Sequence, residues 1–190
     1  MERTYIDDIT FDKKDFTEKP LDKGDYENCT FINCDFSNSD LSHINFVECE
    51  FAGSNLSMVT LIKTAFKDVK FKDCKLLGLC FDNCSDFLFS VNFDNCVLKL
   101  SSFYKLKLKK TKFKHSNLQE VDFAETDLTA AVFDNCDLSG ATFQNTILEK
   151  ADFRTAYNYS IDPELNRIKK AKFSMSGVAG LLAKYDIVIE

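Results

Sequence analysis

The residues of this chain with the widest chemical repertoire are its 8 cysteines. In "NCTFINC", residues 28–34, Cys29 and Cys34 stand five apart. That spacing is open to a metal site, a disulfide, a reactive thiol pair or small packing residues. The start, "MERTYIDDITFDKK", lacks the apolar run of a signal peptide, and nowhere do about 18 apolar residues follow one another. A cytoplasmic location without membrane contact is expected, and there thiols stay reduced. No CxxC pair, Gly-rich phosphate loop or nucleophile elbow occurs. The chain therefore reads as a non-enzyme, with no catalytic residue, metal ligand or cofactor expected.

The elements that hold the cysteines explain them. With 19 Phe but only 6 Gly and 2 Pro, turns must form without the usual punctuators. Large apolar residues recur at every fifth position, from Phe11, Phe16, Leu21, Tyr26 and Phe31 onward to Phe81. After two extra residues the count resumes at Leu88 and runs to Phe153. On an α-helix five residues advance a side chain by about 140°, which scatters these centres around the cylinder. In a flat strand an odd spacing sends alternate centres to opposite faces. Keeping every centre inward requires a corner each five residues. Four corners close a square coil of twenty, and coils stack about 4.8 Å apart.

Residues two before each centre then also point inward and must be small, as Cys29, Cys34, Ser39, Cys49, Ser54, Thr126 and Cys136 are. The paired cysteines are thus packing residues. His43 and His115 fall two after a centre, on solvated corners. Cys80 immediately precedes a centre and Cys84 lies in the insertion, so these are the expected exposed thiols, with no basic neighbour to activate them.

"ADFRT", "CDLSG", "ATFQN" and "VDFAE" share one order: a small residue, then mostly Asp, then Leu or Phe, then two further positions. In this the chain resembles the pentapeptide-repeat family. The resemblance implies an all-β, right-handed quadrilateral β-helix of about seven to eight coils; the period gives the square but not its hand. Residues 1–25, where Lys14, Lys19 and Gly24 occupy small-residue positions, are expected as an N-terminal cap and irregular first coil. Residues 26–157 form the β-helix, with a short outward bulge at 82–87, and 158–190 a C-terminal cap or dimerisation segment. There Asp162, Pro163 and Glu164 open a helical turn. Phe173, twenty after Phe153, caps the last coil. Val178, Leu181, Leu182 and Tyr185 follow helical spacing, and "DIVIE" reads as a brief strand.

"NCTFINCDFSNSDLS" and "GLLAKYDIVIE" are similar to the termini of quinolone-resistance (Qnr-type) members. That implies a homodimer joined through Val178, Leu181, Leu182, Tyr185, Ile187 and Ile189. It also implies an acidic rod that binds DNA gyrase or topoisomerase IV by mimicking DNA, with Asp122, Asp127, Asp134, Asp137 and Asp152 as the candidate acidic surface. Asp82, Asn83 and Asp86 in the bulge are a candidate partner contact. Longer protective loops of the family are missing, so inhibition is expected more readily than strong drug protection.

The net charge of -6 is unevenly spread: residues 1–50 hold 13 acids and 5 bases (-8), 51–115 hold 5 and 12 (+7), and 116–190 hold 12 and 7 (-5). Lys107, Lys109, Lys110, Lys112 and Lys114, with Lys67, Lys70 and Lys72, make a basic band on two adjacent sides. The band leaves only partial mimicry, through the acidic end sections. The band reads either as a solvated repeat surface or as a contact for an acidic partner or a nucleic-acid backbone, with direct binding of nucleic acid not the expectation. A repeat scaffold for some other protein partner fits the sequence equally well.

Overall fold

The computed structural model describes residues 3–185, 187 and 188. Its strands are β1 (Thr4–Asp7), β2 (Thr10–Asp12), β3 (Gly24–Glu27), β4 (Thr30–Ile32), β5 (Asn45–Val47), β6 (Glu50–Ala52), β7 (Ala65–Lys67), β8 (Val69–Lys72), β9 (Val91–Asp94), β10 (Lys112–Lys114) and β11 (Val132–Asp134). All pair in parallel, four in the order β1-β3-β5-β7 and seven in the order β2-β4-β6-β8-β9-β10-β11. The other two sides join through single bridges such as Asp35 to Asn55 and Asp122 to Thr142. Partners lie twenty residues apart, as Phe31 and Phe51 do. The result is a four-sided β-solenoid, as the period of five requires.

Each side ends in a corner whose residue is left-handed, for example Asn28 (φ 52), Asn33 (φ 51), His115 (φ 48) and Asn135 (φ 51). For a non-glycine residue that conformation costs about 1–2 kcal/mol, least for Asn and Asp. Stacking offsets the cost, because corner N–H groups bond the next rung: Asn28 to the Val47 carbonyl at 3.0 Å, His115 to that of Asp134 at 2.7 Å. Hence so few glycines are needed; Gly53, Gly78 and Gly140 fill three such corners.

The core is a stack of rings. On the seven-stranded side Phe11, Phe31, Phe51, Phe71, Phe93, Phe113, Phe133, Phe153 and Phe173 form one column, with neighbouring centroids between 4.6 Å (Phe133–Phe153) and 5.4 Å (Phe153–Phe173). Phe173 thus continues the column beyond Phe153, as its spacing predicts. Many of the small inward residues donate to the carbonyl of the centre one coil below. Thr126 Oγ1 reaches Phe103 O at 2.8 Å, Ser54 Oγ reaches Phe31 O at 3.1 Å and Cys49 Sγ reaches Tyr26 O at 3.4 Å. Each such bond contributes about 0.5–1.5 kcal/mol and satisfies the buried hydroxyl or thiol itself, adding to backbone donors such as the Leu106 N–H, which reaches Phe103 O at 3.1 Å.

Five expectations need correction. Residues 4–7 and 10–12, placed in a ragged cap, form β1 and β2 in register with β3 and β4; residues 16–23 are the longest stretch there without strand or bridge. Gly24 is small because a Cβ there would lie 2.5 Å from the Thr4 carbonyl oxygen. Leu88 is no centre: it is a left-handed residue (φ 58), 65% exposed, beside Phe87 at 66%. Phe89 turns inward instead, 6.3 Å from both Phe66 and Phe81, because its ring gains two aromatic neighbours there. The extra two residues shift one register, Val69 pairing with Val91, and the phase then resumes.

Cys84, expected outside, is half-buried against the core. The bulge folds its thiol inward, whereas Cys80 is exposed. At the C-terminus the expected helix is two 3-10 turns, Val178–Leu181 and Ala183–Tyr185. Gly177 and Gly180 weaken the α-helix, and the Ile161 N–H claims the Gly180 carbonyl at 3.0 Å. Of the expected strand, Ile187 and Val188 are exposed and lie in no strand, while Asp186, Ile189 and Glu190 lie outside the described residues.

Candidate interaction surfaces

Among the described residues no three His, Cys, Asp or Glu side chains gather as metal ligands. Burial pushes the Cys49 and Cys136 thiols up to about 12, and it also raises those of Cys80 and Cys84. None is an activated nucleophile. His43 and His115 sit on exposed left-handed corners, and His115 Nδ1 lies 3.2 Å from Asp94. No described helix is long and apolar enough to cross a membrane.

The five aspartates of the expected acidic surface are not brought together. Asp134 and Asp152 lie on the seven-stranded side, Asp127 on the four-stranded side, and Asp122 and Asp137 on the two bridged sides. Asp134 follows Phe133, whereas Asp122, Asp127, Asp137 and Asp152 each stand one before a centre. From there the side chains of Asp122, Asp127, Asp137 and Asp152 accept the N–H two residues on, at 2.8 Å for Ala124 and 3.1 Å for Thr129 and Ser139. The repeated Asp is therefore a turn brace. Burial works against the charge of Asp137, yet hydrogen bonds from Gln119, Asn158 and Ser139 hold its carboxyl below the usual range. Bases also neutralise this end: Lys109 meets Asp127 at 3.2 Å, Arg154 meets Asp152 at 2.8 Å and Arg167 pairs with Glu149.

A different acidic surface emerges at the other end. Asp8 and Glu48 occupy one corner column, left-handed at φ 54 and 52, with Asn28 between them. Asp7 and Glu27 flank them on the four-stranded side, and Asp12 and Glu50 on the seven-stranded side. Among the described residues, none of these acids has an ion-pair partner. The spacing of twenty was the signal for this edge, once corners rather than centres are aligned.

The basic band divides. Lys107 and Lys109 belong to the four-stranded side, where Lys109 is paired. Lys70, Lys72, Lys110, Lys112 and Lys114, with Glu50, Asn92 and Asp94, wall a groove of about 410 Å3 on the seven-stranded side. In the bulge, Asp82, Asn83 and Asp86 are exposed. Beside them the Lys67 ammonium lies 5.3 Å over the Phe87 ring.

Of the candidate dimer residues, Leu181 packs on the core and Leu182 is half-buried, whereas Val178, Tyr185 and Ile187 are exposed. Met175 and Val188 join them at the surface, 92% and 86% exposed. Lys184 bridges Asp162 at 2.8 Å and Glu164, and the Tyr185 hydroxyl donates to Glu164 at 3.0 Å, so the segment is fastened to its own last coil.

A four-sided parallel solenoid built on five-residue units, with its chemistry confined to its outer surface, is the architecture of a repeat scaffold. The chain belongs to the pentapeptide-repeat family, whose repeat-region model matches residues 25–86 and 85–156. Among solved structures it is similar in fold to full-length QnrB1, a plasmid-mediated fluoroquinolone resistance protein, at 18% identity and a TM-score of 0.50 over 97% of this chain and 100% of that one. It is also similar, more loosely, to HetL, a pentapeptide-repeat protein involved in heterocyst differentiation regulation from the cyanobacterium Nostoc, at 16% identity and a TM-score of 0.33 over 92% and 86%. No curated protein matches the sequence.

Proposed function

We propose that this protein is a non-enzymatic scaffold that occupies the DNA-binding surface of a type II topoisomerase, DNA gyrase or topoisomerase IV, by partial mimicry of DNA. The N-terminal carboxylate edge carries the reading. Asp7, Asp8, Asp12, Glu27, Glu48 and Glu50 lie on three successive rungs, so these charges fall within about 14 Å. Duplex DNA of that length carries about eight. The match is local, because acids near the C-terminus brace turns or are paired with bases. Likeness of fold to a fluoroquinolone resistance protein supports the choice of partner. In this reading the protein is cytoplasmic, and two copies join through the exposed apolar residues Val178, Tyr185 and Ile187, leaving an acidic edge at each outer end.

The test is DNA supercoiling by gyrase with the protein added, with and without ciprofloxacin. The native protein is expected to inhibit supercoiling, and Asp8→Lys with Glu48→Lys to abolish that inhibition, while Lys150→Glu leaves it intact. If the native protein neither inhibits supercoiling, nor relieves drug-stabilised cleavage, nor displaces DNA from the enzyme, the topoisomerase reading is wrong. Solution molar mass tests the dimer, which deletion of residues 175–190 should convert to monomer.

A further inference from the structure

We propose that the lysine-walled groove on the seven-stranded side, which adjoins the acidic edge at Glu50, is a second docking site, for an extended acidic segment of a partner protein. Lys70 and Lys72 project from β8, Lys112 and Lys114 from β10, and between them β9 presents the shorter Asn92 and Asp94. The two lysine rows are therefore two rungs apart, about 10 Å, and along each strand alternate lysines are about 7 Å apart. Both figures suit one extended chain lying edge-on and parallel to β9. Its alternate side chains, also about 7 Å apart, point to opposite walls, so consecutive glutamates meet Lys70 and Lys72 on one side and Lys112 and Lys114 on the other.

The lysines are available for such a partner. Elsewhere Lys23, Lys99, Lys105, Lys109, Lys172 and Lys184 are paired with carboxylates. Among the described residues no ion pair engages the four groove lysines or Lys110 at its margin. This concentration of unneutralised charge favours an anionic partner. The floor decides which kind. The Asp94 carboxylate lines the groove, as does Glu50, and both repel phosphates and glutamates alike. A peptide also offers backbone N–H groups, which Asp94 accepts when the chain lies edge-on. A nucleic-acid backbone has no such donor.

The probe is a fluorescein-labelled hexaglutamate peptide with neutral ends, titrated with the full chain and followed by anisotropy at low and moderate salt. Salt-sensitive binding is expected, weakened roughly tenfold by Lys70→Glu with Lys112→Glu and little changed by the control Lys150→Glu. These residues are exposed, and circular dichroism confirms that each variant is folded. Three results overturn the proposal: equal weakening by the control, tighter binding of a short oligothymidylate than of the peptide, or a sedimentation shift showing that a second copy fills the groove. No binding of the peptide at low salt overturns it as well. A failure of gyrase inhibition alone leaves this site untouched, so the two readings fail separately.

Discussion

The acidic edge of the first coils and the basic groove of the middle coils share one backbone plan and carry opposite charge. Glu50 in β6 and Lys70 in β8 are direct cross-strand partners, on the same side and at the same position relative to their centres. Beneath them the same phenylalanine column continues, with Phe51 and Phe71 stacked at 5.2 Å. The solenoid thus holds its interior fixed while leaving its outward positions free. One rod can carry two surfaces with different partners because each rung touches only its neighbours.

The most severe way to challenge this contrast is to cut the common column under each surface. Phe31→Ala below the acidic edge and Phe113→Ala below the basic groove should each cost about 3–5 kcal/mol in chemical denaturation. A cost under about 1 kcal/mol at either place would mean that the two regions are not built alike. A smaller effect separates the inward hydroxyls and thiols by what they donate. Thr126→Val removes one of two donors to the buried Phe103 carbonyl, leaving the Leu106 N–H at 3.1 Å, and should cost about 1 kcal/mol, whereas Cys49→Ser keeps its donor and should cost less.

Acid should weaken both regions through the turn-bracing aspartates. Ser42, whose side chain and N–H bond Asp40, and Lys23 hold the Asp40 carboxyl down at about 2, and Arg154 holds that of Asp152 below the usual range. Such groups bind protons more weakly folded than unfolded. Their contribution is complete above the unfolded value of about 4 and is lost as pH falls toward about 2. Denaturation midpoints measured between these pH values should fall; a flat profile would show that the braces contribute nothing. The smallest effect is expected at the surfaces themselves. Asp8→Lys and Lys112→Glu should each alter stability by no more than about 0.5 kcal/mol, and a larger change would break the separation between frame and surface.

Much of this was legible in the residue order. Phe11 to Phe81 at every fifth position admits only a cornered chain, and Cys29 and Cys34 could be assigned to packing from phase alone. The bulge was less legible, since counting shows that two residues are extra but not which ring turns inward. Phe89 wins over Leu88 through contacts with Phe66 and Phe81 that lie 23 and 8 residues away. At the C-terminus, Val178 to Tyr185 have helical spacing, yet docking of Gly177 and Gly180 against Tyr159 overrides it.

Order along the chain determined the interior, because inward positions are crowded and each tolerates few residue types. Only the stacked structure decided the surfaces, because outward residues twenty apart become neighbours solely through pairing between coils. That pairing scattered Asp122, Asp127, Asp134, Asp137 and Asp152 over four sides, gathered Asp8 and Glu48 into one edge, and set Lys70 and Lys72 across β9 from Lys112 and Lys114. Charge acts through space, and on this rod the near neighbours in space are one coil away in sequence.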